Sequence, residues 1–187
     1  GPVIQALLQE VIMLLGMVDI TDLPLSSLVK EFMPQKQRGK CPFPNGNIFE
    51  GLLFNNLPSG PGTYTFPNGN TYSECTMYNG KFEGEYVYKL SNGDTVTGMK
   101  RNGKDEGFRM YEFNNGQVHF ETMTDGILHG PCKIEYPNGQ FEFLWYEGGA
   151  KSGPYVFVHD IETVEIGNYA NGHRVERITY RSPPKKK

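Results

Sequence analysis

The sequence predicts a mainly β protein: a single-layer solenoid of stacked antiparallel β-hairpins that follows a pair of α-helices. Three glycine series support this fold class because they share one period of 23 or 24 residues. One series ends five Asn-Gly dipeptides, and the other two contain five glycines each. In order, the series are Gly46, Gly69, Gly93, Gly116 and Gly139; Gly80, Gly103, Gly126, Gly149 and Gly172; and Gly60, Gly84, Gly107, Gly130 and Gly153. A fixed period of this length is typical of repeat proteins.

Each repeat contains two short runs in which apolar and polar residues alternate, as strands do when one face is buried. In one repeat these runs are residues 63–66 and 70–72, and Pro67-Asn68-Gly69 joins them. Asn-Gly favours a turn with positive φ at both central positions, which suits a hairpin. The second joint of the same repeat, residues 79–84, is longer and contains two glycines. We therefore expect one hairpin per repeat, stabilised by stacking on its neighbours.

Three segments resemble the MORN (membrane occupation and recognition nexus) repeat. Residues 49–53, Phe-Glu-Gly-Leu-Leu, match its opening, and residues 125–130, Asp-Gly-Ile-Leu-His-Gly, match its middle. Residues 62–69, Gly-Thr-Tyr-Thr-Phe-Pro-Asn-Gly, match its end. The resemblance covers about residues 42–180, in five clear units and a sixth in which Glu162-Thr163 replaces Asn-Gly. We expect the repeat array to span residues 41–180.

The aromatic positions of the family pattern are only partly kept. The opening aromatic position holds Phe49, Tyr72, Val96, His119, Glu142 and Glu165, and the tryptophan position holds Leu53, Thr76, Lys100, Met123, Tyr146 and Tyr169. Glycine is missing from the following slot at Glu74, Glu121 and Leu144.

A sheet face with side chains in register suits recognition of an extended or helical peptide. Aromatic residues and methionine are the types that anchor interfaces, although most of them are also needed for stacking. The candidate partner-binding residues are Phe49, Leu53, Tyr64, Tyr72, Tyr88, Tyr111, Met123, Trp145, Tyr146 and Tyr169. The sequence therefore predicts a non-enzymatic scaffold or adaptor that binds protein partners. The resemblance implies cytoskeletal, ciliary, germ-cell or membrane-contact settings.

The first forty residues have a different pattern. Ile4, Leu7, Leu8, Val11, Leu15 and Val18 follow helical spacing and predict an amphipathic helix. Asp22-Leu23-Pro24 predicts the start of a second helix, which Pro34 ends before a polar linker to residue 40. Either the helices cap the repeats, or the first helix self-associates as a homodimer or docks on a partner. Gly1-Pro2 is typical of a remnant left by tag removal, so the natural start and the native origin of this segment stay open.

Composition argues against several functional classes. The net charge of −3 and the pI near 5.8 give no basic footprint for nucleic acid. Cys41, Cys75 and Cys132 form neither a disulfide framework nor a paired metal motif, and a cytoplasmic location is the simplest expectation.

No residues combine into a catalytic set, and we expect no cofactor. His119, His129, His159 and His173 lie at different positions in their repeats, so we expect no metal site. Glu142 and Glu165 occupy equivalent positions in adjacent repeats. Together with Asp160 and Glu162, they predict a solvated acidic surface or one that faces a basic partner.

Two other functions remain open. Basic residues support weak binding to anionic lipid at a membrane surface, namely Lys36, Arg38, Lys40, Lys100, Arg101, Lys104, Arg109, Lys185, Lys186 and Lys187. Because MORN units also precede lysine methyltransferase and phosphoinositide kinase domains, the resemblance also allows a targeting module of a larger enzyme. Residues 181–187 predict a disordered basic tail.

Overall fold

The computed structural model describes residues 36–186 together with Pro2, Val3, Ala6, Leu7 and Glu10. Within these residues the chain forms one antiparallel sheet of seventeen strands. The longer strands are β1 (Lys36–Pro42), β2 (Ile48–Phe54), β3 (Leu57–Thr65), β4 (Thr71–Tyr78), β6 (Gly84–Lys89), β7 (Thr95–Arg101), β9 (Gly107–Glu112), β10 (Val118–Thr124), β12 (Gly130–Glu135), β13 (Phe141–Glu147), β15 (Gly153–Val158), β16 (Thr163–Ala170) and β17 (His173–Arg181). Four two-residue strands complete the set: β5 (Lys81–Phe82), β8 (Lys104–Asp105), β11 (Ile127–Leu128) and β14 (Ala150–Lys151).

The longer strands pair with their neighbours in chain order, from β1–β2 through to β16–β17. Each short strand pairs with the longer strand before it, for example β5 with β4. The predicted mainly β, antiparallel sheet is confirmed. The sheet starts at Lys36, so the residues predicted as a linker before residue 41 belong to β1, and Arg181 belongs to β17.

The predicted helices fall almost wholly outside the described residues. Pro2, Val3, Ala6, Leu7 and Glu10 have helical backbone, whereas every element with described bounds is a strand. The helix pair therefore stays a prediction. No helix within the described residues has the length and apolar character that crossing a bilayer requires. Residues 182–186 are exposed and have no regular secondary structure.

The Asn-Gly dipeptides of the first series form three-residue loops, and the expected positive φ at both positions is wrong there. In the loop Pro67-Asn68-Gly69, only the glycine has positive φ, at 89°. The Asn68 Oδ1 atom accepts a hydrogen bond from the Asn70 backbone N–H at 3.0 Å. Asn45, Asn92, Asn115 and Asn138 make the same bond in their repeats. Asparagine is therefore used for its side-chain acceptor, which closes the turn locally.

The second joint of each repeat contains the turn with two positive φ values. Asn79 and Gly80 have φ of 49° and 75°, and Asn102 and Gly103 have 52° and 80°. Such two-residue turns match the twist of the strands that they connect. They also bond to the preceding repeat, since the Gly103 N–H donates to the Phe82 carbonyl at 3.0 Å. This joint, and not the Pro-Asn-Gly loop, is the tight hairpin turn.

Alternation along the strands gives the sheet two different faces. The aromatic face contains a row of paired residues that crosses the sheet, including Phe49, Tyr64, Tyr72, Tyr88, Val96, Tyr111, His119, Ile134, Glu142, Phe157 and Glu165. The open face contains the intervening residues, such as Thr97, Phe120 and Phe143. Most of the buried residues lie on the aromatic face, in two separate clusters.

The single interval of 24 residues in the first glycine series has a structural cause in β4. This strand contains one extra residue, and its pairing shifts between Tyr72 and Glu74. A β-bulge of this kind absorbs an extra residue and restores alternation beyond it. As a result Cys75 and Met77 are buried, and Met77 occupies the position that the sequence assigned to Thr76.

Candidate docking face

Nine of the ten predicted partner-binding residues lie on the aromatic face, where the chain itself covers many of them. Phe49, Leu53, Tyr64, Met123 and Tyr169 are buried and offer a partner almost no surface. Tyr72, Tyr88, Tyr111 and Tyr146 are half-buried. Trp145 differs from the others because it lies on the open face and is 48% exposed.

Aromatic packing explains this burial. The Tyr72 ring lies 4.4 Å from the Phe82 ring and 4.5 Å from the Tyr88 ring, measured between centroids. The Tyr64 ring makes an edge contact with Phe82 at 5.3 Å. Such pairs stabilise a thin sheet beyond their buried area. These rings therefore form the core of the first repeats.

A group of ionic side chains interrupts the aromatic face between the two apolar clusters. The Arg109 guanidinium lies 2.6 Å from a Glu121 carboxylate oxygen and 3.0 Å from an Asp105 carboxylate oxygen. Lys100 Nζ lies 3.2 Å from the other Asp105 oxygen, and the Tyr86 hydroxyl donates to it at 2.6 Å. All these side chains are largely buried. We call Lys100, Asp105, Arg109 and Glu121 the ionic junction.

Glu142 and Glu165 do not form the solvated acidic surface that the sequence predicted. Glu142 is completely buried, and it accepts hydrogen bonds from the hydroxyls of Tyr136 and Tyr169. Arg174 lies 3.1 Å from Glu142 and 3.6 Å from Glu165. Within the predicted acidic group, only Asp160 and Glu162 are exposed. The two buried carboxylates are structural because hydroxyl and guanidinium donors surround them.

Burial keeps several phenols and two thiols of the aromatic face in their neutral forms. Burial raises the pKa of Tyr72, Tyr136 and Tyr146 to about 12, so these phenols stay neutral. Burial also raises the pKa of the Cys75 thiol to about 11 and that of Cys132 to about 12. All three cysteines are free and buried. Thiols with a raised pKa are poor nucleophiles and poor metal ligands.

Metal ligation has no support in the part of the chain that the structure describes. No group of three or more His, Cys, Asp or Glu side chains is placed there to hold an ion. His119 and His159 lie near Glu121 and Glu165 respectively, each in a different repeat.

The open face has two adjoining grooves over its first strands. One has a volume of about 600 Å³ and is lined by residues that include Arg38, Thr63 and Ser73. The other has a volume of about 320 Å³ and is lined by residues that include Val87, Thr97 and Met99. Glu74 and Glu85 line both grooves and are exposed. The two grooves therefore share two exposed acidic side chains.

Towards the later strands the open face becomes apolar. Register places one apolar side chain after another across β9 to β17, with a lysine, Lys133, in the middle of the row. We call these residues and their apolar neighbours the apolar patch: Phe108, Met110, Phe120, Phe141, Phe143, Trp145, Val156, Val158, Val164, Ile166, Ile178 and Tyr180. Phe143 and Trp145 are each 48% exposed, and Phe108, Ile178 and Tyr180 are also exposed. Large exposed apolar patches mark interaction sites.

Lys133 lies among three rings of this patch. Its ammonium nitrogen is 5.8 Å from the Phe120 ring centroid, 5.1 Å from that of Phe141 and 5.7 Å from that of Phe143. It also pairs with Glu135 at 2.8 Å. Cation–π attraction holds the lysine stem against the rings while the charge stays at the surface.

A comparison with known families matches the MORN repeat at residues 49–71 and residues 122–141. The first match covers β2, β3 and the start of β4, and the second extends from the end of β10 to the start of β13. The chain is a MORN repeat protein. A search of curated proteins finds no match. MORN repeats are generally associated with protein or membrane binding and are generally non-catalytic.

The sequence interpretation of this MORN protein missed the apolar patch, apart from Trp145. A signal was present in β13, where Phe141, Phe143 and Trp145 alternate with Glu142, Leu144 and Tyr146. Large side chains on both faces of one strand indicate that neither face is a simple solvated surface. The buried charge of Glu142 concealed this signal because it makes the aromatic face of β13 look polar.

Proposed function

We propose that this MORN protein is a non-enzymatic scaffold that binds protein partners through its open face, with the apolar patch as the anchor. The observation that supports this proposal is the row of aromatic and aliphatic side chains on the open face across β9 to β17, of which Phe108, Phe143, Trp145, Ile178 and Tyr180 are exposed. Interfaces are enriched in aromatic residues and methionine at their centres. The open face therefore replaces the aromatic face as the principal docking surface.

The patch favours a partner with one apolar side and a basic end. Apolar side chains of the partner fit Phe120, Phe143 and Val156, which lie in one row. The grooves over the earlier strands continue this surface and expose Glu74 and Glu85. Complementary charge at such a rim sets orientation and selectivity. An amphipathic helix with lysine or arginine at one end meets both requirements.

The test uses the full chain with Phe143→Asp and a matched control, Thr65→Asp, which adds the same charge to an exposed position on the same face. Partners that co-purify from native cells are identified by mass spectrometry, and the purified partner is then titrated by calorimetry. We expect Phe143→Asp to weaken binding at least about tenfold, the effect of losing one anchor residue. Thr65→Asp should bind as the unmodified chain does. Equal affinity for all three proteins would refute the proposal, provided that circular dichroism shows intact sheets.

Membrane-surface binding is a second candidate, favoured by Lys36, Arg38 and Lys40 on the open-face side of β1. Each such residue contributes about 1 kcal/mol near an anionic surface. Lys100 and Arg109 are buried in the ionic junction, so they cannot serve this role as the sequence suggested. Sedimentation with phosphatidylserine vesicles at low and physiological salt measures this binding. Charge reversal at Arg38 and Lys40 should abolish it.

We also infer from the family resemblance a cytoplasmic location, at the cytoskeleton or at a membrane. Self-association through residues 4–18 is part of the same proposal, as is a role as the targeting part of a larger protein. Imaging of the tagged full-length gene product measures its location, and the sequence of that product reveals any attached catalytic domain.

A further inference from the structure

We infer that Asn79 and Asn171 are modification sites, at which the folded chain loses ammonia and converts asparagine to aspartate or isoaspartate without an enzyme. The sequence contains eight Asn-Gly dipeptides. Asparagine is most prone to this reaction before glycine, because glycine has no side chain to shield its backbone nitrogen. The fold protects six of the eight dipeptides with hydrogen bonds and leaves two open.

The reaction requires the backbone nitrogen of the glycine. After losing its proton to solvent, this nitrogen attacks the asparagine side-chain carbon Cγ and forms a bond to it. The bond from Cγ to Nδ2 breaks, and the leaving nitrogen takes a proton from water and departs as ammonia. Water then opens the cyclic imide at either carbonyl carbon, which gives aspartate or isoaspartate. A glycine N–H that donates to a carbonyl oxygen must first break that hydrogen bond, so the bond slows the reaction.

The five loops of the first glycine series are protected twice. In one of them the Gly69 N–H donates to the Phe66 carbonyl at 3.1 Å. The same bond is made at 3.0 Å by Gly46, Gly93, Gly116 and Gly139. In all five loops the asparagine side chain is also held, because its Oδ1 atom accepts a hydrogen bond from a backbone N–H two residues later. Slow conversion is expected in each loop.

The second joints protect one another by bonding in series. The Gly103 N–H donates to the Phe82 carbonyl of the joint before it at 3.0 Å. The next two joints make the same kind of bond, from Gly126 to Asp105 at 2.8 Å and from Gly149 to Leu128 at 2.9 Å. Asn102-Gly103 is therefore the sixth protected dipeptide.

The series of bonds stops before the first and the last of these joints. Within residues 36–186, no acceptor is described for the N–H group of Gly80 or for that of Gly172. Asn79, Gly80, Asn171 and Gly172 are all exposed. A Cβ atom at either glycine would meet no other atom within 4 Å, so the space around both nitrogens is open to water.

A cavity explains why Gly80 lacks the bond that the later joints make. Pro58 occupies the position of Phe82 in the preceding joint, so its carbonyl would be the acceptor. Gly80 and Pro58 instead both line a cavity of about 370 Å³, whose other walls include Phe43, Leu57 and Met77. Pairing in the preceding hairpin shifts between β2 and β3, which alters the joint that Gly80 would contact.

Conversion changes the charge and the length of the turn. The neutral amide becomes a carboxylate, and isoaspartate adds one carbon atom to the main chain. Asn79 and Asn171 have φ of 49° and 51° in tight two-residue turns, where an added atom alters the geometry that matches the strand twist. Asn79 also lines the apolar cavity, so conversion places a negative charge beside Phe43 and Met77.

The experiment incubates the full chain in mildly alkaline buffer made with heavy-oxygen water. Rapid digestion in ordinary water at mildly acid pH follows, so that only residues converted in the folded chain carry the heavy oxygen. Peptide mapping by mass spectrometry then measures the rate at each of the eight sites. We expect Asn79 and Asn171 to convert at least about fivefold faster than any other site, the factor that one backbone hydrogen bond gives. In urea all eight rates should become similar.

Variants identify the source of the ammonia. Asn79→Gly removes one open site, and Asn102→Gly is the matched control at a protected joint, where φ is also positive, at 52°. Glycine adopts this φ freely, so both variants should keep the fold, which circular dichroism verifies. Ammonia release should fall in Asn79→Gly and stay unchanged in Asn102→Gly.

Three results would overturn the assignment. The first is equal conversion at all eight sites of the folded chain. The second is fastest conversion at any of the six protected dipeptides. The third is the same order of rates in urea as in the folded chain, which would show that local sequence and not the missing hydrogen bonds selects Asn79 and Asn171.

Discussion

At the scale of single residues, facing pairs across neighbouring strands decide what the aromatic face can hold. Tyr86 lies opposite Gly98, and a Cβ atom at Gly98 would lie 3.0 Å from the Tyr86 hydroxyl oxygen. Tyr155 lies opposite Gly167 in the same way. Where glycine is missing, Arg109 faces Glu121 and an ion pair fills the space. At this position the facing arginine therefore compensates for the departure of Glu121 from the family pattern.

Acid should destabilise the end of the array through Glu165. Hydrogen bonds from Arg177 and Tyr155 lower the pKa of the Glu165 carboxyl from 4.5 to about 2. Because the folded-state pKa is the lower one, its contribution to stability is full above about pH 4.5. That contribution is lost as the pH falls towards 2. We expect Arg177→Gln to raise the pKa of Glu165, and an NMR titration of its side-chain carbon measures this value.

Arg181→Gln is the control for that titration. Arg181 lies in the same strand, is exposed and makes no described bond to Glu165. The pKa of Glu165 should be unchanged in this variant. An equal shift in both variants would show that general charge, and not the Arg177 hydrogen bond, sets the pKa.

At the scale of elements, the two kinds of turn use asparagine for different reasons, and substitutions should separate them. Asn115 accepts a hydrogen bond from the Gln117 N–H at 2.9 Å, whereas Asn102 has a positive φ of 52°. Asn115→Gly and Asn115→Ala should each cost about 1 kcal/mol, the value of a lost hydrogen bond. Asn102→Ala should cost about 1 kcal/mol through backbone strain. Asn102→Gly should be nearly neutral because glycine adopts this φ freely.

Urea denaturation of the four variants measures these differences in the free energy of unfolding. Asn115→Asp is a further control, since its carboxylate keeps the acceptor. If Asn102→Gly and Asn115→Gly changed the free energy of unfolding equally, the proposed role of the Asn115 side chain as a hydrogen-bond acceptor would be contradicted.

Deletion of Glu74 should test the bulge in β4. Removing this residue leaves Tyr72, Ser73 and Cys75 in regular alternation, so Tyr72 and Cys75 keep their place on the aromatic face. We expect a folded protein with a melting temperature within a few degrees of the unmodified chain. Deletion of Thr97 in the regular strand β7 moves Gly98 to the open face and should prevent folding. Circular dichroism during heating compares the two, and equal behaviour would contradict a bulge at Glu74.

At the scale of the whole molecule, the array has two apolar clusters that the ionic junction connects. The first cluster extends from Cys41 to Val96, and the second extends from Cys132 to Tyr169. In a solenoid each repeat contacts only its neighbours, so cooperativity depends on every junction. Arg109 reaches both Asp105 and Glu121 and is the central group of this one.

Arg109→Ala should therefore separate the unfolding of the two clusters. Loss of the guanidinium leaves the buried Glu121 carboxylate with His119 as its remaining described ionic neighbour, which should cost about 3 kcal/mol at the junction. We expect the fluorescence of Trp145, near the second cluster, and the far-UV circular dichroism to give different denaturation midpoints. In the unmodified chain the two midpoints should coincide.

Lys104→Ala is the matched control for the junction. Lys104 makes an exposed ion pair with Asp125, and such surface pairs contribute little. Its two unfolding curves should coincide. Coincident curves for Arg109→Ala as well would show that the apolar clusters couple without the ionic junction.

Much of this fold could be predicted from the sequence with rules that apply to a few neighbouring residues. The glycine period determined the repeat, the antiparallel pairing of neighbours and the two turns per unit, because turn chemistry and strand alternation act over a few residues. The predicted turn type was wrong at Asn68 because Asn68-Gly69 and Asn79-Gly80 are the same dipeptide but form different turns. Only the second turn has positive φ at both residues. In the sequence, the bulge between Tyr72 and Glu74 appears only as one extra residue in the interval from Gly69 to Gly93.

Tertiary structure alone decided which side chains are accessible. From the amino-acid sequence we could predict a MORN-type array of stacked hairpins with its turns in register. The sequence did not determine that Glu142 is buried against Tyr169 and Arg174, or that the half-buried Phe120 and the exposed Phe143 share a row on the open face. Burial depends on residues that are a full repeat or more apart in the chain, and register brings them together. The physical reason is that the free energy of a buried charge or an exposed ring depends on those neighbours, and no local pattern encodes them.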